Sequence, residues 1–114
     1  MAYKVGIIGY GWAATAHADA INGTSQGTVT AVYSSRPLDD AEVSARHGGL
    51  IKTYTNLDEM LASDIDVVSI TSYPAQHRAQ AEAAAKAGKH IILEKPMALT
   101  WDDCSAIAAA VKPS

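Results

Sequence analysis

Only one cysteine, Cys104, occurs in the 114 residues, so no disulfide can form within the chain and a reducing compartment suits it. Phenylalanine is absent and aromatics make up just 6% of the residues, which excludes a core built on large rings. Alanine is abundant instead, and small side chains let helices lie close against a sheet. The expected core is therefore Val, Ile, Leu and Ala. Basic residues do not outnumber acidic ones; the net charge of −3 and pI near 5.7 argue against a general nucleic-acid binder, which normally carries a basic face. No apolar run approaches the roughly 20 residues that cross a bilayer. Met1-Ala2-Tyr3-Lys4-Val5 passes directly into a strand-like segment rather than a basic and then apolar leader. The expectation is a cytoplasmic chain with neither a nucleic-acid nor a membrane partner, and its length suits a single domain.

What is present is alternation. Val5-Gly6-Ile7-Ile8 reads as a buried strand, followed by a glycine-rich turn and a helix from about Ala13 to Ile21, stopped by Asn22-Gly23. Thr28–Tyr33 reads as a second strand, Leu38–His47 as a helix ended by Gly48-Gly49, and Lys52–Tyr54 as a short third strand. Asn56-Leu57-Asp58-Glu59 has the layout of a capping box and should open a short helix through Met60 and Leu61. Asp66–Ile70 is almost continuously apolar, as strands covered on both faces are. A helix over Gln76–Ala87 with Gly88 beyond it, a fifth strand His90–Leu93, and a helix from a Thr100 cap to Val111 complete the pattern. Strands alternating with helices need right-handed crossovers, which give an α/β fold: a doubly wound, mostly parallel sheet in three α/β/α layers.

Gly9-Tyr10-Gly11-Trp12-Ala13-Ala14 is a G-x-G-x-x-A sequence that follows a strand and opens a helix, the context in which such a motif binds a dinucleotide. The first glycine permits the tight turn, the second lets backbone approach the pyrophosphate, and Ala14 suits close packing of helix on strand. The helix N-terminus then presents free N–H groups and a positive dipole end to the anion. Gly9, Tyr10, Gly11, Trp12 and Ala13 are accordingly cofactor-binding candidates. Trp12 either covers part of the cofactor or packs as an ordinary apolar side chain.

The tip of the second strand separates NAD from NADP, because a carboxylate there binds the ribose hydroxyls and repels a 2′-phosphate. Here the tip reads Tyr33-Ser34-Ser35-Arg36, with no acid. The hydroxyls of Ser34 and Ser35 and the guanidinium of Arg36 suit a phosphate, so NADP is expected, with NAD the alternative. Asp39 and Asp40 are close enough in sequence to cap the following helix instead.

Glu94-Lys95-Pro96 stands where the fifth strand leaves the sheet, at the carboxyl edge where ligands gather in open α/β sheets. Together with Gly9-x-Gly11-x-x-Ala14-x-x-His17, Asp64-Ile65-Asp66-Val67-Val68 and Ala87-Gly88-Lys89-His90, this motif makes the whole chain resemble the Gfo/Idh/MocA family of oxidoreductases. The resemblance implies an NAD(P)-binding Rossmann domain over residues 1–114, in an enzyme passing hydride between a sugar, polyol or diol and nicotinamide. It implies that Lys95 is catalytic, bonding the substrate oxygen and helping to move its proton, and that Glu94 orients Lys95 or the cofactor. The family's Thr-Pro-Asn-x-x-His segment after the fourth strand is here Ser72-Tyr73-Pro74-Ala75-Gln76-His77. Ser72, Tyr73 and His77 are expected on the cofactor side. The chain departs from the family here, with Tyr73 at the position of the Pro and Pro74 at that of the Asn.

His17, His47, His77 and His90 lie on different elements without ligand spacing, so no metal site is expected. His17 matches a family position or simply packs on the first helix, whereas His47 and His90 read as surface or turn residues. Cys104 reads as core packing. The resemblance also implies a longer protein whose C-terminal domain completes the substrate pocket. Without that domain, weak or moderate NADP(H) binding, little turnover and some self-association through an uncovered apolar face are expected. The competing reading is a non-catalytic module that carries a dinucleotide or makes protein contacts.

Overall fold

In a computed structural model that describes residues 3–94 and 97–111, alternating strands and helices build one five-stranded sheet. The strands are β1 (Tyr3–Ile8), β2 (Gly27–Tyr33), β3 (Lys52–Tyr54), β4 (Val67–Ile70) and β5 (His90–Leu93). The helices are α1 (Trp12–Asn22), α2 (Asp40–His47), α3 (Leu57–Leu61), α4 (Pro74–Lys86) and α5 (Trp101–Val111). All strand pairs are parallel, in the order β3-β2-β1-β4-β5. The chain thus winds outwards from β1 twice, leaving the topological switch between β1 and β4, as the doubly wound expectation required.

Side chains alternate across the sheet and fill two separate cores. Ile7, Val29 and Val32 pack with Ala14 and Ala18 of α1 and Val43 of α2. Ile8, Val68 and Ile70 pack on the other face with Met60 and Leu61 of α3, Ala81 and Ala84 of α4 and Ile107 of α5. Fully burying a Val, Ile or Met side chain contributes about 1.5–3 kcal/mol, so these two layers dominate stability. Val29 and Val32 share a face although they are three residues apart. A register shift explains this: Val5 pairs with Val29 but Gly6 with Ala31, which leaves Thr30 as an extra residue in β2. One inserted residue reverses which side chains face inwards beyond it.

Helix starts follow their capping chemistry. The second helix begins at Asp40 rather than Leu38 because Asp39 is its cap, accepting the Ala41 N–H at 3.0 Å. Asn56 caps α3 through the Glu59 N–H, and Thr100 Oγ1 accepts the Asp103 N–H in the first turn of α5. Proline at N1 is pre-organised for a helix, so α4 starts at Pro74, two residues before the expected Gln76. Asp40 accepts from both the N–H and the hydroxyl of Thr53, tying α2 to β3; these bonds hold its carboxyl below the usual aspartate range. Among the described residues no helix is long and apolar enough to cross a membrane.

Candidate functional site

The first strand ends in a turn that only glycine can make. Gly9 has φ +87°, and a Cβ there would lie 2.8 Å from the Ser72 Cα and 2.9 Å from its nitrogen. The turn is fastened on both sides. The Gly9 N–H donates to the Tyr33 carbonyl at the end of β2, and the Thr71 hydroxyl donates to the Gly9 carbonyl at 2.6 Å. Gly11 then serves as the N-cap of α1 in extended backbone, φ −116° and ψ −160°, with open space where a Cβ would stand.

A cleft of about 470 Å³ opens in front of this turn at the carboxyl ends of β1, β2 and β4. It is lined by Gly9, Tyr10, Gly11, Trp12 and Ala13 from the turn and α1, and by Tyr33, Ser34, Ser35 and Arg36 from the tip of β2. Thr71, Ser72, Tyr73, Gln76 and Gln80 close the β4 side. Two helices, α1 and α4, begin at the cleft, and neither has a side-chain cap or an acid in its first turn. The first turns of α2, α3 and α5, by contrast, each give an N–H to a side-chain oxygen. Uncapped N-termini with room before them are where an anionic group gains N–H donors and the favourable end of the helix dipole. The cleft therefore suits a dinucleotide: a pyrophosphate at the amides of α1, with a ribose towards β2.

A family model described as an oxidoreductase family with an NAD-binding Rossmann fold, Gfo/Idh/MocA, matches residues 3–114. The chain belongs to the Gfo/Idh/MocA oxidoreductase family. An uncharacterized oxidoreductase of Synechocystis is 38% identical over 87% of this chain and 27% of its own length. The structure of myo-inositol dehydrogenase from Lactobacillus casei with NAD(H) and myo-inositol superposes with a TM-score of 0.83 at 30% identity, covering 96% of this chain and 33% of that one. Biliverdin reductase from Synechocystis with biliverdin and NADP+ also superposes at 0.83, with 28% identity and 96% and 34% coverage. The chain thus spans about a third of the length of the relatives it matches. It is an NAD(P)-binding Rossmann domain of this oxidoreductase family.

Within that domain the sequence-predicted residues fall into distinct positions. All five candidates from Gly9 to Ala13 line the cleft, as do Ser34, Ser35, Arg36, Ser72 and Tyr73. Trp12 is 86% exposed and Tyr73 80%, so neither serves as ordinary core packing. Ser34 is buried, and its hydroxyl accepts the Arg36 N–H, which shapes the loop that carries Arg36. His77 lies behind the cleft wall rather than in it: it is buried, with Nε2 2.9 Å from the Ser72 carbonyl and Nδ1 3.0 Å from the Met97 carbonyl. It links the Ser72-Tyr73 loop to the segment after β5. Glu94 meets His17 at 2.6 Å at the end of β5, and His17 Nδ1 lies 2.7 Å from the buried Ser69 hydroxyl, so His17 bridges α1, β4 and β5. Lys95 and Pro96 lie outside the described residues. Among those residues, no three His, Cys, Asp or Glu side chains gather as metal ligands would.

Thr71, Gln76 and Gln80 also line the cleft, although none was a site candidate in the sequence. Their signal was positional: Thr71 directly follows β4, and Gln80 interrupts an alanine-rich helix face at a buried position, where Ser72 Oγ donates to it.

His47 requires a correction, because it is not a surface or turn residue. Its side chain is buried against the glycine turn, with Nε2 2.8 Å from the Tyr10 hydroxyl and Nδ1 3.2 Å from Asp19. The tautomer that satisfies all three groups donates Nδ1–H to Asp19 and accepts from Tyr10. The rings pack edge to face at 5.9 Å, and burial pushes the Tyr10 hydroxyl pKa up. This contact joins the end of α2 to the glycine turn after β1, and no sequence motif announces it. His47→Ala should destabilise the domain by about 2 kcal/mol, through a cavity and a stranded Tyr10 hydroxyl. Urea unfolding checks this, and an unchanged midpoint would show that the contact carries no weight.

Proposed function

We propose that residues 1–114 are the dinucleotide-binding domain of an oxidoreductase that prefers NADP(H) and acts on a sugar, polyol or diol. The carrying observation is the chemistry at the tip of β2, where Ser34, Ser35 and Arg36 line the cleft and no acid does. The nearest carboxylate in sequence, Asp39, is engaged as the cap of α2. A ribose bearing a 2′-phosphate would find a guanidinium there rather than a repelling charge. The substrate class rests on the family resemblance, and the inositol dehydrogenase among the structural relatives supports it.

In this reading the amides of Trp12 and Ala13 hold the pyrophosphate, and Gly11 leaves the approach open. Trp12 and Tyr73, exposed on opposite lips of the cleft, cover the bound dinucleotide. The nicotinamide supplies the hydride acceptor or donor. Lys95, following β5, hydrogen-bonds the substrate oxygen and moves its proton, while Glu94, held by His17, fixes the start of that segment.

Titration with NADPH and NADH tests the cofactor assignment. The wild-type chain should favour NADPH by about tenfold or more, as expected for a charge-assisted contact. Arg36→Ala should weaken NADPH by a similar factor and leave NADH within about twofold. Equal affinities for the two cofactors in both proteins would remove the NADP preference.

A further inference from the structure

A second hollow, of about 460 Å³, adjoins the dinucleotide cleft and shares Tyr10, Gly11, Trp12 and Arg36 with it. Its far wall is one side of α2, where Glu42, Val43 and Arg46 recur at helical spacing behind the Asp39 cap. Two of the chain's three arginines therefore meet in one recess. The third, Arg78, is paired with both Glu82 and Asp103. Neither Arg36 nor Arg46 makes an ion pair with any described residue, although Glu42 stands one turn before Arg46 and Asp39 lines the same hollow. The Arg46 charge also reaches the turn: burial raises the Tyr10 hydroxyl pKa, and Arg46 opposes that rise. Two uncommitted guanidiniums beside the ribose end of a dinucleotide cleft are suited to a phosphate dianion.

We propose that this hollow seats the 2′-phosphate of NADP(H), with Arg46 of α2 as the second cation opposite Arg36. The inference rests on the NADP reading above and adds a site and a residue to it. Arg36 comes from a loop and reaches both cavities, whereas Arg46 is fixed on a helix. The helix thus supplies the rigid half of the grip. Glu42 and the α2 cap Asp39 set a limit on the affinity, because their carboxylates share the hollow with the incoming anion.

The probes are 2′,5′-ADP and 5′-ADP, with NADPH and NADH alongside, titrated calorimetrically into the wild-type chain and into Arg46→Gln, Arg46→Lys and Glu42→Gln. Arg46→Gln should weaken 2′,5′-ADP and NADPH by about tenfold while leaving 5′-ADP and NADH within about twofold. Arg46→Lys, which keeps the charge but loses the forked geometry, should fall between and guards against a folding defect in the glutamine variant. Glu42→Gln should tighten the two 2′-phosphorylated ligands and not the others. If Arg46→Gln binds 2′,5′-ADP as the wild type does while Arg36→Ala loses it, the second cation is wrong and the NADP reading stands. A wild-type chain indifferent to the 2′-phosphate overturns both. An equal loss for all four ligands makes Arg46 a general structural contributor and also overturns the proposal.

Discussion

Gly11→Asp should abolish cofactor binding while leaving the domain as stable as before, or slightly more so. The backbone at Gly11 is extended, φ −116°, a conformation open to any residue, and a Cβ there meets nothing within 4 Å. As the N-cap of α1 the new carboxylate would accept one of the free amides and lie at the positive end of the helix. The net gain is up to about 1 kcal/mol over glycine. Those same amides are the ones assigned to the pyrophosphate. A carboxylate occupying them removes roughly two charge-assisted hydrogen bonds from the ligand and sets like charge against it, a loss of about 100-fold or more in affinity. Ligand present at about 100 times its dissociation constant should add about 2.7 kcal/mol to the wild type. That gain is a rise in Tm on the order of 10 °C. The variant should show no such rise on adding NADPH, and an undiminished shift would place the pyrophosphate elsewhere.

Gly9→Ala should do the opposite and unfold the domain before it affects any ligand. Its φ of +87° costs a side-chain-bearing residue about 1–2 kcal/mol. The added Cβ would also press on the Ser72 backbone at 2.8–2.9 Å, which cannot swing aside as a flexible side chain could. Relief means moving the β4 end away from the turn, straining the Thr71 N–H bond to Ile8 and the Thr71 hydroxyl bond to Gly9. We expect a loss of about 3 kcal/mol, or a fall in Tm of roughly 10–15 °C. Gly48 provides the control: its φ is +75°, yet a Cβ there meets nothing within 4 Å. Gly48→Ala should cost only the conformational part, about 1 kcal/mol. Equal losses at the two positions would mean that the contact with Ser72 contributes nothing.

The contrast between the two glycines also shows how legible the site was. The G-x-G-x-x-A pattern picked out both positions, since strand, turn and helix are neighbours in the chain. It did not distinguish the glycine pressed against Ser72, 63 residues away in sequence, from the one facing open space. The same limit applies to histidine. Nothing in the sequence revealed the contacts of His17, His47 and His77: one bridges α1 to β4 and β5, one braces Tyr10, and one ties two loops together behind the cleft. Each of these tasks depends on residues brought together across the sheet.

By itself the sequence determined the alternation of elements, the parallel doubly wound class and the glycine-rich turn between β1 and α1. All of these are written in local patterns: hydrophobic periodicity, capping residues and glycine spacing act over a few residues. Tertiary structure alone decided the extra residue in β2, the burial of His47, the place of Gln80 in the cleft wall and the meeting of Arg36 with Arg46. The reason is physical. Such features follow from register and from which helix packs on which face, and these are settled only when the whole sheet closes its two cores.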